Sequence, residues 1–112
     1  MSSRSSGFGA VNNDAKVKIG QSVLIFGIGG MGLSIAYAAS LVSAYPIVGI
    51  DLHKNKIEMG KKFGLTYGIQ ANSNNLKEEI NNIFGIKGPE IIFETTGNSK
   101  VMEQAYEITP ND

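Results

Sequence analysis

Short, continuous apolar runs alternate along this chain with stretches of helical periodicity, and glycine or proline stands at most of the joints. The first run, Ser22–Phe26, is Ser-Val-Leu-Ile-Phe. Unbroken apolarity over so few residues fits a strand covered on both faces, as in a parallel sheet. Gly30–Val42 reads as a helix that is apolar nearly all round, and its small residues Ala36, Ala38, Ala39 and Ser40 allow close approach to strands. Tyr45–Asp51 predicts a second strand, with Pro46 at its start where no ladder donor is needed. Lys54–Phe63 predicts an amphipathic helix with Ile57 and Phe63 inward and Lys61 and Lys62 outward, stopped by Gly64. Tyr67–Gln70 is a weaker third strand. Asn75–Phe84 carries Leu76, Ile80, Ile83 and Phe84 on one helical face. Glu90–Thr95 predicts the fourth strand, and Gly97 turns the chain. Two outer helices complete the pattern. One is short, over Phe8–Lys16, with Val11 and Ala15 at helical spacing; the other is capped by Asn98, carries Val101, Met102, Ala105 and Tyr106, and ends at Pro110.

Strand and helix in regular alternation argue for a parallel sheet with right-handed crossovers. Residues 1–7 are Ser-rich and lack the apolar core of a signal peptide, so they read as a tail preceding one domain over residues 8–112. Composition narrows the chemistry. Lys+Arg and Asp+Glu are both 10 in 112 residues, and no basic stripe favours nucleic acid. There is no cysteine and a single histidine, His53, which excludes disulfides, thiolate metal sites and thiol nucleophiles. No apolar stretch is long enough to span a bilayer. A cytoplasmic location is the expectation.

The decisive motif is Gly27-Ile28-Gly29-Gly30-Met31-Gly32, which fits G-x-G-x-x-G between a predicted strand and a predicted helix. Gly27 would turn the chain out of the strand, Gly29 would let phosphates approach the backbone, and Gly32 would let the helix pack closely. The amides near Gly30 and Met31 would face the anion, helped by the helix dipole. Asp51 ends the next strand about 20 residues later, where a carboxylate receives ribose hydroxyls and repels a 2′-phosphate, so NAD is favoured over NADP. The competing role for Asp51 is to cap the following helix. Lys56 is placed to reach a ribose or phosphate oxygen, or else is a solvated helix lysine. Leu52 and Thr96 would flank an adenine ring if the first and fourth strands are neighbours. Thr95-Thr96-Gly97 would then share the carboxyl edge with Gly27, unless it is a plain strand-to-helix turn. His53 reads as an exposed loop residue. Neither a catalytic constellation nor a metal site is visible. The expected fold is therefore α/β, a Rossmann-type open parallel sheet of about four strands with helices on both faces.

The sequence also resembles the medium-chain, zinc-type alcohol dehydrogenase family. The resemblance rests on Gly7–Asn12, Ala15–Gly20, Val23–Gly32, Gly49–Leu52 with Lys54-Asn55-Lys56, Phe63–Thr66, and Phe93-Glu94-Thr95-Thr96-Gly97. It implies NAD-dependent interconversion of alcohols and aldehydes by a dimer or tetramer. It implies that the Gly30 and Met31 amides hold the pyrophosphate, that Asp51 with Lys56 holds the adenine ribose, and that Leu52 and Thr96 sandwich the adenine, although the family often has a larger apolar residue where Thr96 stands. It further implies a zinc-bearing catalytic domain and a six-stranded cofactor domain ordered 3-2-1-4-5-6. Against that plan the chain reads as the adenosine-binding half, inactive alone, with zinc confined to the absent domain. Its fourth strand is then an open edge through which a homo-oligomer could form. A regulatory nucleotide-sensing module without catalysis is the alternative. Gln70-Ala71-Asn72, in place of a Gly-Asp-Ala turn, and Glu94-Thr95-Thr96-Gly97 favour the dehydrogenase. A methyltransferase is weaker still.

Overall fold

The computed structural model describes residues 17–97 and residue 100. Expectations for the tail, for the helix at Phe8–Lys16 and for the helix after Asn98 lie outside the described residues. Within them, four strands and three helices alternate: β1 (Val23–Phe26), α1 (Gly30–Leu41), β2 (Ile47–Asp51), α2 (Lys54–Phe63), β3 (Tyr67–Gln70), α3 (Leu76–Phe84) and β4 (Ile91–Glu94). The strands form one sheet in the order β3-β2-β1-β4, and every neighbouring pair is parallel. The chain reverses its direction of travel across the sheet between β3 and β4, so β1 lies in the middle, with β2 on one side and β4 on the other.

The apolar run of β1 is explained by this central place. Val23 and Ile25 face one layer and Leu24 and Phe26 the other, and none of the four is more than 2% exposed. Under the first face, Ala36 and Ala39 of α1 pack with Ile28, Ile47, Leu65 and Phe93. Under the second, Leu76 and Ile80 of α3 pack with Val48, Ile50, Ile69 and Ile92. The sheet thus has apolar cover on both sides, as a parallel sheet requires.

Two sequence expectations change in the structure. Helix α1 buries only one stripe, Gly32, Ala36 and Ala39, while Met31, Tyr37 and Leu41 are at least half exposed. Gly32, Ala36 and Ala39 let the helix approach the sheet, and Leu33 and Ile35 pack beside them partly buried, whereas the small Ala38 is exposed and lies off this stripe. Phe63 is not inward either. It is 42% exposed and meets the Tyr37 ring edge-on, with centroids 6.5 Å apart, so it bridges α1 and α2 rather than entering the core. Ile57 is buried and Lys61 and Lys62 are exposed, as the helical spacing predicts.

Element ends agree with the sequence to within two residues. Strand β2 begins at Ile47, because Pro46 serves the sheet only through its carbonyl, which accepts the Val23 N–H at 2.9 Å. Ser22 and Glu90 stand just outside β1 and β4 and exchange bonds: the Ser22 N–H donates to the Glu90 carboxylate at 3.0 Å, and the Glu90 N–H donates to the Ser22 hydroxyl at 2.9 Å. Gly64, with φ 133°, ends α2 in a backbone conformation closed to most residues. At the amino-terminal edge of the sheet the Tyr45 and Tyr67 phenols share a hydrogen bond, which holds the Tyr45 hydroxyl above its ordinary value of 10.0.

Candidate functional site

The carboxyl ends of β1, β2 and β4 meet at one edge, which is where open α/β sheets bind ligands. From β1 the chain enters the glycine turn. Gly27 has φ 98°, and a Cβ there would come within 2.5 Å of both Thr95 Oγ1 and Thr96 Cγ2. Glycine is required at this position for conformation and for space together. The Gly27 N–H donates to the Ile50 carbonyl at 2.8 Å. The Thr95 hydroxyl lies 2.8 Å from the Gly27 carbonyl and 3.0 Å from that of Phe26. A Cβ on Gly32 would fall 2.0 Å from the Gly27 carbonyl oxygen, so the third glycine packs against the turn itself more than against the strand.

Helix α1 opens at Gly30 with no side-chain cap and no acidic residue in its first turn. Its first bond between elements of the turn runs from the Leu33 N–H to the Gly29 carbonyl at 2.9 Å. The amides of Gly30, Met31 and Gly32 precede any intrahelical acceptor and are the orphan donors of a helix start. Beside them the space is open: a Cβ built on Gly29 or Gly30 meets nothing within 4 Å. Donors without acceptors, a positive dipole end and clear space form an anion cradle.

Asp51 stands at the end of β2 and is turned toward this cradle. Its Oδ2 accepts the Ile28 N–H at 2.8 Å, and its Oδ1 accepts the His53 N–H at 2.9 Å. The helix-capping role is not what the structure shows: His53 occupies the cap position of α2, and no side chain caps that helix. Next to Asp51 opens a cavity of about 220 Å³. Phe26, Gly27, Ile50, Leu52 and Ala71 supply its mostly apolar wall, and Asp51, His53, Lys56, Glu94 and Thr96 its polar rim. The volume falls below the roughly 300–1,000 Å³ of whole small-molecule sites and suits one nucleoside end of a larger ligand.

Five of the residues singled out from sequence therefore share one cavity: Gly27, Asp51, Leu52, Lys56 and Thr96. Gly29, Gly30, Met31 and Gly32 form the adjoining helix start. Thr95 and Gly97 lie at the same edge in supporting positions. The Thr95 hydroxyl is spent on the glycine turn, and the Gly97 N–H donates to Glu94 Oε1 at 3.0 Å. Thr96 is bonded through its hydroxyl to Glu94 Oε2. The described residues hold no group of three or more His, Cys, Asp or Glu able to bind a metal. With no cysteine and one histidine in the sequence, the residues present do not fit a zinc site. No helix among the described residues is long and apolar enough to cross a membrane.

The sequence pattern of the family described as "Zinc-binding dehydrogenase" matches residues 27–112, from the first glycine of the turn to the last residue. The chain belongs to the zinc-binding dehydrogenase family. It is 41% identical over 109 residues to the S-(hydroxymethyl)glutathione dehydrogenase of Paracoccus denitrificans, a match covering 92% of this chain and 29% of that protein. It is 38% identical over 111 residues to the class-3 alcohol dehydrogenase of Cereibacter sphaeroides, covering 90% and 29%. An alcohol dehydrogenase zinc-binding domain protein from Burkholderia ambifaria superposes with TM-score 0.74 at 29% identity, over 89% of this chain and 27% of its own. The chain thus spans about 29% of the length of the curated dehydrogenases it matches.

Within this dehydrogenase frame, Phe26, Ile28, Ile50, Ala71 and Glu94 join the site beyond the residues that motif and spacing mark. Ile28, the middle residue of Gly27-Ile28-Gly29, is 1% exposed and bonds Asp51 through its amide. Flanking glycines do not mark it, since Met31, also between two glycines, is 50% exposed. Ala71 joins the cavity wall because it directly follows β3 at the carboxyl edge. Glu94 is drawn in by the Thr96 and Gly97 amides that its carboxylate receives. His53 is exposed, as its loop position suggests, yet it also borders the cavity.

Proposed function

We propose that the chain is the NAD-binding portion of an alcohol dehydrogenase-like oxidoreductase, holding the adenosine and pyrophosphate of the cofactor. The observation that carries this reading is the uncapped start of α1, with its orphan amides and open space, set directly against the Asp51 carboxylate and its cavity. The Gly30 and Met31 amides would bond the pyrophosphate, with Gly29 keeping the approach clear. The Asp51 carboxylate would receive the ribose hydroxyls, with the Lys56 ammonium at the same rim. Leu52 and Thr96 would lie on either side of the adenine. When bound, the nicotinamide supplies the hydride chemistry, and this chain's residues bind and orient its other end. Membership of the family supports the oxidoreductase assignment, and an alcohol substrate follows from the names several relatives carry. The described residues offer no ligand set for the zinc of that family.

Asp51 sets the expected preference. A 2′-phosphate carries roughly −1.5 to −2 charges at neutral pH. Against a carboxylate about 4 Å away, each unit of charge costs about 1–4 kcal/mol at the dielectric of a protein surface or of water. NADP should therefore bind at least about tenfold more weakly than NAD. Calorimetric titration of the chain with NAD, NADP and AMP tests the reading. AMP binding nearly as well as NAD is expected of an adenosine site; failure of every adenine nucleotide to bind would defeat the assignment.

A further inference from the structure

We infer that Asp51 is a positioning residue for the glycine turn as well as the acceptor of the ribose, so that one carboxylate couples the sugar site to the phosphate cradle. This rests on the cofactor reading above and adds to it a duty that Asp51 performs before any ligand arrives. The carboxylate bridges two backbone donors on different segments, Ile28 of the turn at 2.8 Å and His53 of the β2–α2 link at 2.9 Å. Ile28 is held from its other end too. Its side chain is 1% exposed and fills the room that two glycines leave, since a Cβ on Gly49 would come 2.6 Å from Ile28 Cδ1 and one on Gly60 3.0 Å from Ile28 Cγ2. Side chain locked and amide locked, Ile28 fixes the direction in which the chain leaves β1. Gly29 and the donors of Gly30 and Met31 follow at once, and glycines cannot hold a direction by themselves.

Two features make the bond consequential. It is partly buried, so an Ile28 N–H without its acceptor would lie in the wall of the site without full access to water. A carboxylate also offers about four lone-pair positions, and two amides occupy only two. Both oxygens keep capacity for hydroxyls, so ribose binding does not require releasing the turn. Asp51 can hold the cradle and the sugar at the same time.

The test separates the two duties by removing the hydroxyls from the ligand. ADP and 2′,3′-dideoxyadenosine 5′-diphosphate are titrated calorimetrically into the wild-type chain and into Asp51→Ala. Exchange of the Ile28 and His53 amides is followed by NMR without ligand. The wild type is expected to bind both, the dideoxy compound more weakly. Asp51→Ala is expected to lose about tenfold or more on both ligands, and its Ile28 amide should exchange faster by a comparable factor. Unchanged affinity for the dideoxy ligand in Asp51→Ala, with ADP weakened, would confine Asp51 to the sugar and overturn the inference while leaving the cofactor reading intact. Failure of the wild type to bind either compound would overturn both. Should Asp51→Ala not show a cooperative melt, Asp51→Asn takes its place. Its single acceptor oxygen can serve only one of the two amides, so the protection of the Ile28 amide and the affinity for the dideoxy ligand should change together or be kept together, and a change in one without the other would overturn the proposal.

Discussion

Two glycines three residues apart should answer the same substitution in opposite ways. At Gly29 an added Cβ meets nothing within 4 Å, so Gly29→Ala should fold with a stability change of about 0.5 kcal/mol or less. The methyl would nevertheless stand where the diphosphate approaches, and NAD affinity should fall at least about tenfold, read by titration beside a thermal melt. At Gly32 the Cβ would sit 2.0 Å from the Gly27 carbonyl oxygen, a backbone atom that cannot swing aside. Gly32→Ala should cost about 1–3 kcal/mol by overpacking and lower the melting temperature before any ligand is considered. Equal behaviour of the two variants would mean that the turn is not built as described. Ser43 is the contrary case, a non-glycine in left-handed backbone at φ 58° just after α1, with its N–H on the Ser40 carbonyl. Replacing it by glycine removes the Cβ strain at some cost in chain entropy. Ser43→Gly should therefore stabilise by about 0.5–1 kcal/mol, seen as a rise of a few degrees in melting temperature.

Among the described elements, α3 covers its face of the sheet through Leu76 and Ile80. Ile80 is 1% exposed, and Ile80→Ala should cost about 2–5 kcal/mol in denaturant unfolding, leaving the glycine turn on the opposite layer unaltered. Helix α3 and strand β1 were readable in the sequence for a common reason: burial at a fixed period, or burial everywhere, leaves a mark that survives without any tertiary knowledge. Helix α1 was readable as a helix but not in its packing, because apolar residues occur all round it and neither periodicity nor size separates buried Ala36 and Ala39 from exposed Tyr37, Ala38 and Leu41. Phe63 misled for a related reason. It stands at the last turn of α2, where the inward direction is set by the neighbouring helix and not by the periodicity. In the site, Gly27 to Gly32 and Asp51 were legible because motif and spacing encode them. Ala71 and Glu94 were not, because they reach the cavity only through the order β3-β2-β1-β4 and the fold of the Glu94–Gly97 turn, which no local pattern specifies.

At the scale of the whole chain, the site and the stability of the fold are one system. The glycine turn is tied to β2 through Ile50 and Asp51 and to β4 through Thr95, so its shape exists only while three strands are paired. A ligand that grips the turn and the β2 end together therefore binds the folded chain and has little to hold in the unfolded one. Linkage then fixes the size of the response. At a free concentration of 100 times its dissociation constant, such a ligand adds about 2.7 kcal/mol to the unfolding free energy. For a domain of this length that corresponds to a rise of roughly 10–20 °C in melting temperature. NAD should produce this shift, and NADP at the same total concentration should produce less, because repulsion by Asp51 raises its dissociation constant. In Asp51→Ala the difference between the two nucleotides should shrink, since the group that tells them apart is gone. A melt that moves equally with NAD and NADP in the wild-type chain would place the 2′-position outside the reach of Asp51 and would require a different orientation of the adenosine in the cavity.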